Sequence, residues 1–453
     1  MQRNYAHAVV LYDKIIASDD ANADYARYQK SILLGLLGKN NDKIALLLSI
    51  IKSAPPSAYA NHARYELAVT YLETDKYAQA LTYLQQLTDS VSDKSFAPGA
   101  WMKTGFIYQQ TDEHLKAIEA YKHVVIDYPA SEDRLPALDA LKSLYIEINQ
   151  PAAYTQLLKE NNLPSADSSS LDSTYYAAAE TQFANGKMEN ASTAFKNYLQ
   201  QYPNGIFAIK AHYYKAESNY QLKKYKEARE DYNVLLSGPW NDFFENSARH
   251  AAVIAYDEKD YAAAFDYYLK LRIGTSAKQM KELAYEGLMK SGYYSGKFTE
   301  TALYADSLLI ALGVSAETIN EAMYFKARSL QNIDSIDVAI TIYKKLSNNK
   351  NGDIAAESRY RIAEMLFKQD KLKEAEDAAN ETIRISAGYD FWIVKSYLLL
   401  SDILVKEQDY FNAKATLQSI VKHTKITELK QEATKKLEEV KILEKHHSKL
   451  SEE

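Results

Sequence analysis

Apolar side chains recur every three or four residues from the first turn of this chain onward, beginning with Tyr5, Ala8, Tyr12 and Ile15. That spacing puts them on one face of a helix. The helix is of the kind that comes second in each pair further on, and no basic, then apolar, secretory leader precedes it. The pattern therefore predicts a fragment of a longer chain, opening in mid-repeat behind an added Met1. Second helices share a phrase: an aromatic or apolar residue, Ala three later, and another aromatic or apolar residue four beyond. Tyr77-Ala80-Leu84, Tyr225-Ala228-Tyr232, Tyr261-Ala264-Tyr268 and Tyr410-Ala413-Leu417 carry it fully; Met188-Ala191-Phe195, Ile336-Ala339-Tyr343 and Leu372-Ala375-Ala379 carry it less well. With weaker anchors near Ala45, Ala153 and Thr301, and with Ala8 and Ala117, the twelve anchors stand 35 to 38 residues apart. Twelve residues before an anchor comes a second small residue, as at Gly105, Ala179, Ala216, Ala252, Ala327 and Ala363. Small residues let two helices approach closely, and the aromatic a turn later fills the gap to the next pair.

One segment is especially well formed: Trp101-x2-Thr104-Gly105-x2-Tyr108, then Ala117-x3-Tyr121, then Pro129. It resembles the tetratricopeptide repeat, with Thr104 where that pattern has Leu. The resemblance implies an all-α fold, a right-handed superhelix (α-solenoid) of about twelve helix pairs whose neighbours bury one another's faces. Two junctions, Asp127-Tyr128-Pro129-Ala130-Ser131 and Gln201-Tyr202-Pro203-Asn204-Gly205, are similar to repeats of the bacterial envelope, in the Tol-Pal coordinator and the outer-membrane assembly lipoprotein. The expected organisation is a repeat stack over 1–160, a polar linker or long loop over 161–174, a second stack over 175–423 and a capping helix over 424–453. The linker expectation comes from Asn161 to Ser170, which has no helical period, following a defective repeat that Pro151 opens. The cap expectation comes from the stripe Ile426, Leu429, Ala433, Leu437, Val440 and Leu443, flanked by seven Lys and seven Glu between 425 and 453.

Composition narrows the function. The 453 residues carry a net charge of −6, and by count only 11 of the 54 cationic residues are Arg, which argues against nucleic acid as a partner. There is no Cys, hence no thiolate metal site, disulfide or cysteine nucleophile. No apolar run reaches the roughly 18 residues of a membrane span. Gly292-x3-Gly296-Lys297 is one residue short of a phosphate loop, lacks the following Ser or Thr, and falls where the repeat demands a turn. The nine His show no i, i+4 pairing, and His446-His447 sits at a helix end. No catalytic residue, cofactor or metal site is expected.

The resemblance also implies that first helices line a partner-binding inner wall. Fifteen residues before an anchor stand Tyr65, Tyr176, Tyr213, Tyr324 and Tyr360; one turn later come Glu180, Glu217, Arg328 and Glu364. Repeats that clamp a C-terminal carboxylate carry Lys and Asn on such positions, so Tyr and Glu point instead to basic or amide groups on a protein or peptide, or to a sugar stacked on the rings. The competing expectation is that these Tyr pack between repeats with only their hydroxyls wet. The chain thus reads as a non-catalytic protein-interaction scaffold, with a glycan- or peptidoglycan-binding groove second and a cytosolic adaptor third. The envelope resemblance alone implies a periplasmic or outer-membrane-associated address.

Overall fold

The computed structural model describes residues 4–18, 22–90, 93–163, 168–348 and 352–450, and among them there are helices and no strands. The chain divides into two compact units, Met1–Lys224 and Tyr225–Glu453. The first unit opens with α1 (Tyr5–Ser18), α2 (Ala23–Leu36), α3 (Asn40–Ile51), α4 (Ala60–Leu72), α5 (Tyr77–Thr88) and α6 (Ala97–Gln110). It continues through α7 (His114–Asp127), α8 (Arg134–Glu147), α9 (Pro151–Glu160), α10 (Ser168–Ala184), α11 (Met188–Gln201) and α12 (Ala208–Gln221). The second unit begins with α13 (Tyr225–Ser237), α14 (Phe244–Asp257), α15 (Tyr261–Gly274), α16 (Lys278–Tyr294), α17 (Phe298–Leu309) and α18 (Ala316–Asn332). It ends with α19 (Ile336–Ser347), α20 (Asp353–Lys368), α21 (Leu372–Ile385), α22 (Asp390–Lys406), α23 (Tyr410–His423) and α24 (Thr427–Leu450). Odd-numbered helices are the second helices of the repeat, and within each unit successive helices pack on one another.

The anchors are buried. Ala80, Ala117, Ala191, Ala228, Ala264, Thr301, Ala339, Ala375 and Ala413 have no exposed surface, and each is the fourth residue of its helix. Two expected anchors were misplaced. Ala45 is exposed and Ala153 half-buried, while the fourth positions of α3 and α9 hold Lys43 and Tyr154, both buried. Lys43 reaches Glu66 at 3.1 Å, so a lysine stem fills the small-residue site and its charge is paired. With Lys43 and Tyr154 as anchors, positions 43, 80, 117, 154, 191 and 228 follow at an even 37-residue step.

The turn within each pair explains this register. Five residues before every anchor from 43 to 413 stands a left-handed residue, Gly38, Gly186 or Gly296 in three turns and Asp, Asn, Lys or Gln in the rest, from Asp75 to Gln408. The amide following it donates to the carbonyl five residues back, as Lys76 does to Tyr71 and Lys371 to Leu366, closing a Schellman motif. Gly296 and Lys297 are one such turn, and Lys297 stands 4.0 Å from the Phe265 ring, so the loop-like motif there is structural.

Close packing is literal at Gly105. A Cβ there would lie 2.6 Å from the Tyr121 ring, which is buried against α6. Trp101 stacks on His123 at 4.2 Å, Tyr108 lies under the Lys116 ammonium at 5.2 Å, and Pro129 is exposed beyond the end of α7.

The polar linker expected over 161–174 is corrected in its second half. Residues 164–167 lie outside the described residues, but 168–174 form the first turns of α10. Asp172 is buried there; it accepts from the Tyr198 hydroxyl at 2.6 Å and the Ile206 amide at 2.9 Å. Tyr198 in turn accepts from the Phe207 amide at 3.1 Å. The Ser-rich sequence hid a helix because its stabilising contacts come from the next repeat, at the Gln201–Gly205 junction. At the other end, Leu429, Ala433, Leu437 and Val440 of α24 are buried with Ala413, Leu417 and Ile420 of α23, and Ile426 packs on them, whereas Leu443, also expected on this stripe, is exposed.

Candidate functional site

Three of the five tyrosines fifteen residues before the anchors, Tyr65, Tyr176 and Tyr360, pack on an aromatic ring of the next repeat. Tyr176 stacks on Phe207 at 4.5 Å and meets Tyr198 edge-on at 5.8 Å; Tyr360 lies 5.6 Å from Trp392. Both Tyr176 and Tyr360 are buried, so they cannot offer ring faces to a partner, and the recognition role expected for them is corrected. Tyr65 is half-buried and packs 5.8 Å from Phe96. Once Lys43 is the anchor, Tyr28 joins the series, stacked on Tyr59 at 5.7 Å. Phe96, Phe207 and Tyr59 each stand immediately before the next first helix. The ring therefore pins one repeat to the next, about 31 residues on.

What remains available on this face is polar. Tyr213 and Glu217 are half-buried on α12, and Glu180 is exposed on α10, where it accepts from the Tyr176 hydroxyl at 3.0 Å. In the second unit, Tyr324 of α18 donates to Glu357 of α20 at 2.8 Å and accepts from Arg328 at 2.8 Å. Arg361 pairs with Glu357 and Glu364, each at 3.0 Å, and Gln331 donates to Glu364 at 3.0 Å. Tyr360 donates to Glu364 at 3.3 Å. Similar bridges join neighbouring first helices elsewhere: Lys290 to Glu321 at 2.8 Å, Lys395 to Glu432 at 3.3 Å and Asp402 to Lys436 at 2.5 Å. Burial, then the Glu357 charge, pushes the Tyr324 phenol well above its usual range and keeps it a donor. Burial and the Lys436 contacts oppose each other at Asp402, and burial wins, raising its carboxyl. At Glu364 burial pulls the carboxyl up, but Arg361, Lys368 and Gln331 more than reverse it, leaving it below the ordinary glutamate range.

Glu364 therefore makes a checkable contribution. Its folded value is depressed, so its contribution is present above the unfolded value near 4.5 and disappears as pH falls through the folded one. Glu364→Gln should cost about 1–3 kcal/mol at neutral pH, the worth of charge-assisted hydrogen bonds. The difference from wild type in urea midpoints should shrink progressively as pH falls below about 4.5; a gap undiminished by acid would remove the charge from the explanation.

Among the described residues no group of three or more His, Asp or Glu stands together to hold a metal ion, and no helix is long and apolar enough to cross a membrane. The face has buried hydrogen-bonded charges and half-exposed heads of both signs, an arrangement suited to docking a polar surface.

The tetratricopeptide-repeat family model matches residues 65–132 and 176–242, and these segments are tetratricopeptide repeats. Their helix-pair geometry recurs in both units, which makes this an all-α solenoid-type repeat chain with the makings of a protein-interaction scaffold. Among solved structures it is similar to yeast Tom70, at 14% identity over 97% of this chain and 93% of that one, with a TM-score of 0.33. It is also similar to a chain of the APC/C hetero-tetramer Cut9–Hcn1, at 13% identity over 96% and 94%, with a TM-score of 0.30. The tetratricopeptide domain of P58(IPK) matches at 13% identity over 94% and 99%, with a TM-score of 0.24. No curated protein matches the sequence.

Proposed function

We propose that this chain is a non-catalytic scaffold that holds a protein partner along the face shared by its first helices, and that it serves in the assembly or organisation of a bacterial cell envelope. The observation that carries the scaffold reading is the first-helix network, in which Arg328 donates to the Tyr324 hydroxyl and Glu364 accepts from Arg361 and Gln331, so that both charges are held in place. Charged groups fixed before binding lose little entropy on docking and select partners by charge. The envelope reading rests on the two Tyr-Pro junctions, at Tyr128-Pro129 and Tyr202-Pro203.

A photo-crosslinking residue replacing Glu217, on the first-helix face, tests both parts when compared with one replacing the exposed Glu227 of α13. Crosslinks should form from 217 and not from 227, to a protein that fractionates with the envelope. Glu217→Lys should weaken capture of that protein about tenfold, or 1.4 kcal/mol, with the melting midpoint nearly unchanged. Equal crosslinking from both positions would remove the face from the reading, and a partner confined to the cytosol would remove the envelope.

A further inference from the structure

A groove of about 540 Å³ lies on a different surface of the first unit, between the start of α9, Tyr175 of α10 and the outer side of α11. That volume falls within the range of ordinary ligand sites. Its polar lining is Asn149, Gln150, Asn197, Gln200 and Gln201, with the Tyr175 phenol. A quarter of the chain is charged, yet no charged side chain lines this groove. Among the described residues the five carboxamides and the Tyr175 hydroxyl have no hydrogen-bonding partner, whereas the ring is steadied edge-on by Tyr202 at 5.5 Å.

These features define a ligand class. Walls without ions offer no counter-charge to phosphate, carboxylate or ammonium groups, whose desolvation would go uncompensated. Each carboxamide presents a donor and an acceptor side by side, which matches hydroxyls that both donate and accept. A half-buried ring beside them supplies an apolar face for the C–H side of a pyranose.

We propose that this groove binds a neutral oligosaccharide, with Tyr175 stacked on a sugar ring and the carboxamides of α9 and α11 paired with its hydroxyls. The site goes beyond the protein-scaffold reading and lies off the first-helix face, so each can fail without the other.

The probes are maltohexaose, cellohexaose and chitohexaose, titrated calorimetrically into the full chain. At least one should bind saturably with a Kd of roughly 1 mM or tighter. Asn197→Ala removes an exposed side chain with no protein partner, so the fold should stand while binding falls about tenfold, the loss of hydrogen bonds to the ligand. Tyr175→Leu should weaken binding at least as much, Tyr175→Phe should retain most of it, and Glu217→Lys should leave it unchanged. The proposal is overturned if no probe saturates, or if Asn197→Ala and Tyr175→Leu bind as the wild type does. It is equally overturned if an uncharged Gly/Ser/Asn peptide binds the groove more tightly than every sugar, which would make it a site for peptide backbone.

Discussion

Arg361→Ala should destabilise the Tyr225–Glu453 unit by about 3–5 kcal/mol, the cost of stranding a buried charge. Glu357 is the charge at issue: its side chain is 6% exposed, and Arg361 approaches it at 3.0 Å while also bonding Glu364. Without the guanidinium, Glu357 keeps, among the described residues, only the Tyr324 hydroxyl as a short donor, and Tyr360 and Trp392 lose the cation near their rings. For a unit of this size the loss amounts to roughly 6–20 °C in melting midpoint. Removing both charges is the informative control. Glu357→Gln with Arg361→Met should recover much of the loss, since a buried pair is worth little more than apolar packing of similar volume. A double variant as unstable as Arg361→Ala would show that the arginine stem matters and the pairing does not.

The sequence exposes the helix pairs because close packing is local in this fold. An anchor and its small partner lie twelve residues apart, so one contact repeated along the chain reveals nearly every pair. It misleads where a non-small residue takes the anchor site. Ala45 and Ala153 looked right by composition, but the turn decides the register, and the left-handed Gly38 and Asn149 point to Lys43 and Tyr154. The spacing from a left-handed residue to the anchor is a sharper signal than the anchor's identity.

The candidate site was less legible, for a reason of distance. A tyrosine recurring at a helix-face position suits recognition and packing equally well, and the aromatic that decides between them lies in the next repeat. Tyr176 finds Phe207 and Tyr28 finds Tyr59, each 31 residues on, a spacing across the junction that becomes a signal only once the register is known. The amide groove was hidden for the same reason. Asn149 and Gln150 are separated from Asn197 and Gln200 by α10 in the chain, and no sequence spacing reveals that the two sets share a cleft.

Asp172→Ala should destabilise the first unit by about 2–4 kcal/mol. The carboxylate satisfies two donors at once: the hydroxyl of the fully buried Tyr198 and the amide of Ile206. The buried Tyr198 hydroxyl left without its acceptor costs about 1–3 kcal/mol, and the bond lost by the amide of the exposed Ile206 adds about 0.5–1.5 kcal/mol. Gly205 shows how tightly the site is filled, because a Cβ there would lie 2.4 Å from the Tyr198 hydroxyl and 2.8 Å from Asp172. Asp172→Asn, which still accepts through one oxygen, should cost roughly half as much. Tyr198→Phe should also fall short of the alanine change, since the Asp172–Ile206 bond survives it. Hydrogen exchange locates the effect: the Ile206 and Phe207 amides should lose protection in Asp172→Ala, while amides of α4 and α5 keep theirs, as expected where each repeat contacts only its neighbours. Uniform loss of protection across the unit would mean that Asp172 supports the whole stack rather than this junction. Retained protection at Ile206 would mean that the junction stands without its carboxylate.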